Sequence, residues 1–279
     1  MKLAGIEVGG HSIGGLKTCI DLPEWKLCFD IGRCPDFAIQ RRTVLFTHSH
    51  IDHMGGVVSH AGARALQGMS PPRYVVPRED VDAFEAMFDA WRKLDRSDLP
   101  HETIGIGPGD EWRLGKNLVA RAFRSPHRAP CQGYALLRER TKLKPEFEGL
   151  EPHEIGRLKT EEGVEVQETV HEPWVTFTGD TRIEVVDNEE LVRKARLLIM
   201  EATFLDERVS VEKSRFSGHV HLDEWIERAE RFENEAILLT HFSARYKPSD
   251  VRAILDRRLP AGLRERVTAL LPTRGPSAS

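Results

Sequence analysis

Most apolar residues in this chain fall in short runs that stop at glycine, proline or a charge. The segments "KLCFDIG" (26–32), "TVLFT" (43–47) and "RYVVP" (73–77) have this form, which suits buried strands. Further runs of the same kind are "TIGIG", "LVARAFRSPH", "GYALLRER", "WVTFTGD", "RLLIMEATF" and "AILLTHFS". Helical spacing shows elsewhere. Residues 79–94 place Val81, Phe84, Met87, Phe88, Trp91 and Leu94 on one face, which predicts a helix laid on the core. Helices are also expected from His53 to about Leu66, over 221–233 and over 249–257. Many strands with interspersed helices predict an α/β fold of two sheets with helices outside, not an alternating βαβ wheel.

Two stretches break the rhythm. Residues 138–172 are long, charged and poor in strand signal between two clear strands, the mark of a surface insertion. Residues 271–279 read as a frayed tail, which leaves 1–270 as one domain. "GGHSIGGLKT" (9–18) faintly suggests a phosphate loop, but Leu16 separates Gly15 from Lys17 and Thr18, so the segment reads as a hairpin turn.

Composition narrows the class. The 279 residues are 40% hydrophobic and 30% charged, enough for a sizeable core. The net charge of −4 carries no global basicity, so a polyanionic partner must meet a local patch. The four cysteines contain no C-x-x-C pair, which points to a reducing compartment. No signal-peptide h-region and no apolar run of roughly 20 residues is present, so a soluble, cytoplasmic protein with no membrane partner is expected.

The chemistry concentrates in "FTHSHIDHMGG" (46–56). His48 and His50 follow a strand two apart, so both rings can point one way, and Asp52 and His53 follow where the chain turns into helix. Such a cluster is costly in a core unless something holds its lone pairs. Four donors fanned from one turn suit two ions, with His48 and His50 on one and Asp52 and His53 on the other. Further ligands are offered at strand ends, where α/β folds build sites. His127 would complete the first set, His241 the second, and Asp180 can bridge both. Imidazole and carboxylate donors suit zinc with a position left open for water, with Mn2+ or Fe2+ as alternatives.

The spaced set "FDIGRCP" (29–35), "THSHIDHMGG" (47–56), "HRAPCQGY" (127–134), "FTGDT" (177–181), "MEATFLDE" (200–207), "GHVH" (218–221) and "HFSARY" (241–246) resembles the metallo-β-lactamase fold family and, within it, tRNase Z. Among its forms, the chain resembles the short one found in plants. Met200, Val220 and His221 depart from the residues common among longer relatives. The resemblance implies a four-layer αββα sandwich, two Zn2+ per chain and a homodimer. It implies ligation by His48, His50, Asp52, His53, His127, Asp180 and His241, a catalytic role for His219, and steering of the attacking water by Asp52. The implied reaction removes the 3′ trailer from precursor tRNA by metal-hydroxide attack on a phosphodiester. It leaves a tRNA 3′-hydroxyl and a 5′-phosphorylated trailer. The 138–172 insertion lies where the family places a tRNA-binding arm.

Elementary chemistry adds roles. His219 can protonate the leaving oxygen as a general acid, oriented by Glu201. His221 either points the same way or starts a helix facing solvent. Asp30 either buttresses a ligand histidine or caps a turn. Arg182, Arg245 and Tyr246 adjoin ligands and are candidate substrate contacts. Residues 121–144 hold seven basic side chains, including Arg124, Arg128, Arg138, Arg140, Lys142 and Lys144, against Glu139 alone, so a basic band for RNA phosphates is expected beside His127. A small-molecule hydrolase of the same fold, acting on a thioester or cyclic phosphodiester, is the alternative, because fold does not fix function.

Overall fold

The computed structural model describes residues 1–272; of the expected 271–279 tail, 273–279 lie outside the described residues. Leu271 packs against the core.

The first sheet has six strands in sequence order: β1 (Gly9–Ile13), β2 (Lys17–Leu22), β3 (Leu27–Phe29), β4 (Thr43–Leu45), β5 (Arg73–Pro77) and β6 (Glu102–Ile106). The second has seven, also in sequence order: β7 (Glu111–Gly115), β8 (Leu118–Arg124), β9 (Gln132–Leu143), β10 (Gln167–Phe177), β11 (Leu197–Glu201), β12 (Ala236–Thr240) and β13 (Val267–Ala269). Both sheets open with antiparallel pairs and continue with parallel ones. Helices α1 (Asp36–Ile39), α2 (Ile51–Met54), α3 (Val57–Leu66) and α4 (Val81–Asp95) accompany the first sheet, and α5 (Pro152–Thr160) lies between β9 and β10. The second sheet is accompanied by α6 (Glu184–Asn188), α7 (Glu190–Lys194), α8 (Val211–Ser217), α9 (Leu222–Glu227), α10 (Pro248–Arg258) and α11 (Ala261–Arg264).

The period of two along each strand sorts side chains into layers. Leu197, Ile199 and Leu238 join Phe29, Leu45 and Val75 in the core between the sheets. Phe29 stacks on Phe177 there, with ring centroids 5.0 Å apart. Leu198, Met200, Ile237 and Leu239 face the other way, onto Trp225, Val251 and Ile254. Val44, Phe46, Tyr74 and Val76 pack on Val57, Ala61, Phe84 and Phe88. Strands buried on both faces read as continuous apolar runs, which is why they stand out in the sequence. The result is the expected αββα order: helix, sheet, sheet, helix.

Several elements differ from expectation. The helix expected over 53–66 is two helices. Gly55 and Gly56 form the break, and a Cβ on Gly56 would lie 2.6 Å from the Cys34 nitrogen, so the backbones touch where no side chain fits. In α4, Phe84 and Phe88 are buried, but Trp91 and Leu94 are 46% and 76% exposed, so the last part of the helix has left the core. The helix expected over 221–233 stops at Glu227 and continues as a 3-10 turn, Ala229–Arg231.

The 138–172 insertion is not a loop. β9 and β10 extend as an antiparallel ribbon from Arg138↔Glu172 to Leu143↔Gln167, and α5 follows beyond it. Pairing satisfies backbone groups that an irregular insertion would leave to water.

Among the described residues no helix is long and apolar enough to cross a membrane.

Candidate metal centre

Strand direction assembles the site. β3 and β4 are parallel, and so are β10, β11 and β12. β8 is antiparallel to β9, and β9 to β10, so β8 runs with β10. The carboxyl ends of these strands therefore share one edge. Asp30 follows β3, His48 follows β4, His127 follows β8, Asp180 follows β10 and His241 follows β12. His50 stands in extended conformation at the N-cap of α2, and its carbonyl accepts from the backbone of His53 and Met54. That single turn carries Asp52 and His53 back toward the strand ends.

All seven histidines and aspartates singled out as ligands come together, in two groups. His48, His50, His127 and Asp180 each offer a donor atom within 4.8 Å of the others, and so do Asp52, His53 and His241. Asp180 stands between them. Its Oδ2 lies 3.9 Å from His48 Nε2, and its Oδ1 lies 3.3 Å from both His53 Nε2 and His241 Nε2.

The outer shell fixes which nitrogen faces inward. Asp30 is fully buried; its Oδ1 accepts from the Thr47 amide at 2.8 Å, and its Oδ2 lies 2.8 Å from His53 Nδ1. His48 Nδ1 lies 3.0 Å from Thr47 Oγ1, which donates on to Asp30 at 2.9 Å. One carboxylate thus holds two imidazoles, His53 directly and His48 through a hydroxyl. Glu201 repeats the device on the other sheet. It lies 2.9 Å from His219 Nδ1 and accepts from Thr203 Oγ1, which in turn lies 2.9 Å from His241 Nδ1. His127 Nδ1 is 2.8 Å from the Gly218 carbonyl, which can only accept. Protons drawn to Nδ1 leave the Nε2 lone pairs free to bind a metal.

Buried atoms without partners test whether a metal fits. His48 Nε2, His127 Nε2 and Asp180 Oδ1 are buried and make no hydrogen bond. Unpaired buried polar atoms are costly and call for a ligand. Burial, with His53 beside it, pushes the His48 pKa well below the usual value, and burial lowers that of His127, so both rings stay neutral. Burial works against the Asp52 and Asp180 carboxylates, but the surrounding imidazoles prevail. They bring Asp52 down to about 2 and hold Asp180 well below the ordinary range. His48 and His127, neutral beside the ionised Asp180, are the donor set of a divalent cation; at His53 burial would lower the pKa, but Asp180 and Asp30 overcome it and raise it well above the usual value.

The remaining candidates divide. His219 reaches the edge of the centre, with its Nδ1 3.9 Å from Asp180 Oδ2. Burial would lower its pKa, but Glu201 and Asp180 overcome this and raise it to about 9. His221 starts helix α9, as one of its two readings expected, but it is buried rather than facing solvent. It caps α9 by accepting from the Asp223 amide at 3.2 Å, with its Nε2 3.2 Å from the Asp206 carbonyl. Tyr246 is no surface contact either. It is 7% exposed, and its hydroxyl accepts from the Leu205 amide at 3.0 Å and donates to Asp206 at 3.1 Å, latching two loops together. Arg182 donates through Nε to the Arg215 carbonyl at 2.8 Å, at the end of α8. Arg245 is exposed, its guanidinium 5.9 Å from the Phe204 ring centroid.

The basic band is not one patch beside His127. Arg124 and Arg128 are exposed near it. Arg138, Arg140 and Lys142 climb β9 toward the opposite edge, with Lys144 just past its end, and β9 spans about 35 Å at the usual rise. Arg138 stacks over Trp174 at 4.8 Å, and Glu172 lies 3.1 Å from Arg140 and 3.7 Å from Lys142. Linear charge counting misses these cross-strand pairs.

Sequence reasoning passed over Thr47 and Thr203, and it read 9–18 rightly as a hairpin but gave it no part in the site. The tip of that hairpin reaches the centre: the Gly15 amide donates to Asp52 Oδ2 at 2.8 Å. A threonine directly before H-S-H was the one local signal available.

Comparison with known proteins places this arrangement. Residues 37–242 match the family model of the beta-lactamase superfamily domain. The chain is 43% identical to tRNase Z TRZ1 of Arabidopsis thaliana over 97% of this chain and 96% of that one. It is 37% identical to the chloroplastic tRNase Z TRZ2 of the same plant over 90% and 72%. Among solved structures, human tRNase Z, short form, superposes with a TM-score of 0.60 at 19% identity, over 94% of this chain and 95% of that one, which shows the shared fold.

Proposed function

The chain belongs to the tRNase Z family of the beta-lactamase superfamily, and on that footing we propose that it is a metal-dependent endoribonuclease that removes the 3′ trailer of precursor tRNA. The observation that carries this reading is the convergence of seven imidazole and carboxylate donors on one sheet edge, in a chain so similar to a tRNase Z along its whole length.

Two Zn2+ ions fit the two donor groups, with Mn2+ or Fe2+ as alternatives for such ligands. His48, His50 and His127 would hold one, Asp52, His53 and His241 the other, with Asp180 facing both. Divalent ions bound here would lower the pKa of a water in the site and offset negative charge building on phosphorus.

The chain's own residues supply the rest. The Asp52 carboxylate, ionised and held by the Gly15 amide, can accept a hydrogen bond from the attacking water and aim it at phosphorus. His219 keeps one proton on Nδ1 against Glu201, so Nε2 can carry a second to the leaving 3′ oxygen. Arg124, Arg128 and Arg245 lie exposed for phosphate contacts near the edge, while the ribbon carries its cations to the far edge as an arm. We take 1–270 as one hydrolase domain and a homodimer as the assembly, which sedimentation equilibrium tests.

The deciding experiment incubates purified protein with trailer-bearing precursor tRNA, with and without chelator, and maps both ends. Metal-dependent cleavage leaving a tRNA 3′-hydroxyl and a 5′-phosphorylated trailer is expected. Inert RNA alongside rapid thioester or cyclic-phosphodiester turnover would establish the small-molecule reading instead.

A further inference from the structure

The glycine-rich segment 9–18 forms the hairpin of β1 and β2, and its tip touches the metal centre on one side only. The Gly15 amide donates to Asp52 Oδ2 at 2.8 Å. The Ser12 hydroxyl accepts from the His241 backbone amide at 3.0 Å and lies 3.1 Å from Thr18 Oγ1. The Gly14 amide donates to the Phe242 carbonyl at 3.0 Å, and Gly14 forms a bridge with Ser243. A Cβ on Gly14 would stand 3.0 Å from the His241 carbonyl oxygen and 3.3 Å from two atoms of its ring. From the same hairpin, the Thr18 carbonyl accepts from Gly32 at 2.8 Å, and a Cβ on Gly32 would overlap the Asp52 carbonyl.

These contacts share a target. They bear on Asp52 and His241, two of the three residues in the second donor group. His241 has φ of +59°, a left-handed conformation disfavoured for a histidine, which persists only where surrounding bonds impose it. The side-chain hydrogen bonds of the first group come from elsewhere: His48 from Thr47, His127 from Gly218. Asp30 serves both groups, His53 directly and His48 through Thr47, but the contacts of the hairpin tip fall on the second group alone.

We propose that the hairpin tip Ser12–Gly15 is a positioning clamp for the Asp52/His53/His241 half of the centre, shaping that half for its cation through Asp52 and His241 while making no such contact with the His48/His50/His127 half. The inference rests on the two-ion reading above. The Gly15 amide sets the Asp52 carboxylate and Ser12 sets the His241 backbone. Gly14 is glycine because the ring and carbonyl of His241 occupy the place of a side chain.

The test titrates metal-free protein with Zn2+ against a chromogenic chelator and compares wild type with Ser12→Ala, Gly14→Ala and Ser12→Thr. Melting of each metal-free variant reports on the fold. Wild type is expected to take up two equivalents. Ser12→Ala and Gly14→Ala should keep one equivalent at wild-type affinity and bind the other at least about 10-fold more weakly, the scale of outer-shell losses. Ser12→Thr, which retains the hydroxyl, should restore it. Two equivalents of unchanged affinity in both variants, or equal weakening of both, overturns the clamp. Should Ser12→Ala fail to fold, Gly14→Ala decides alone. A wild type holding only one equivalent overturns the two-ion reading and the clamp with it, an outcome distinct from failure of the variants.

Discussion

Replacing Asp30 with asparagine should strip the centre of affinity without disturbing the chain around it. Asp30 has φ of +56°, a conformation that asparagine adopts more readily than most residues, so the backbone tolerates the change. The buried Thr47 amide, 2.8 Å from Oδ1, needs an acceptor, so the asparagine oxygen must stay there. The new NH2 group then faces His53 Nδ1, where a carboxylate oxygen stood 2.8 Å away. A donor in that place forces Nδ1 to accept, and the imidazole proton moves to Nε2, the atom aimed at Asp180 and the centre. Metal binding must then reverse the tautomer against the amide, or flip the amide and strand the Thr47 N–H. An unsatisfied buried donor costs about 1–3 kcal/mol. The expected loss is about 10- to 100-fold in metal affinity, or about 1.4–2.7 kcal/mol. Chelator-competition titration measures this, and melting of the metal-free protein should move little. Asp30→Asn binding Zn2+ within about twofold of wild type would refute the account of how His53 is oriented.

Other expectations follow from single contacts. His219→Ala should lose most turnover of precursor tRNA while keeping its metal content by elemental analysis; metal loss would instead make His219 a ligand. His221→Asn keeps a side-chain acceptor at the α9 N-cap and should leave the cleavage rate unchanged, whereas His221→Ala should lower stability in urea by about 0.5–2 kcal/mol. Far from the centre, burial first of all, with Arg64 nearby, lowers the His60 pKa to about 4. The unfolded chain therefore binds the extra proton more readily, and stability present above about pH 6.5 falls by about 3 kcal/mol as pH drops through about 4. Urea midpoints of metal-free wild type across that window should fall more steeply than those of His60→Gln. Exhaustive chelation should abolish cleavage, and divalent metal alone should restore it.

The elements themselves were readable from local pattern. Double-faced apolar runs named β3, β4, β5, β11 and β12, because a strand between two layers shows its burial residue by residue. The H-S-H-x-D-H segment was equally plain, since its four donors lie within six positions and need only one strand and one turn to converge. His127, Asp180 and His241 were found because each ends a strand, and parallel strands end on one edge.

Where local pattern carried no information, tertiary contact decided. The hydrogen bond that seats His241 joins residues 229 positions apart, and the one that orients His127 spans 91. No spacing rule reaches so far, so the hairpin looked like a bare turn. His221 could be read from the sequence either as a second histidine facing the site or as the start of a helix, and only the fold, by making it the buried cap of α9, decides. Arg140 and Lys142 read as free cations until the ribbon sets Glu172 beside them. Residue type and periodicity are local properties, and they determined the fold class, the donors and the edge where they meet. The tautomer of each imidazole, the partner of each charge and the clamp on Asp52 depend on atoms brought close only by folding, within the few ångströms over which hydrogen bonds act.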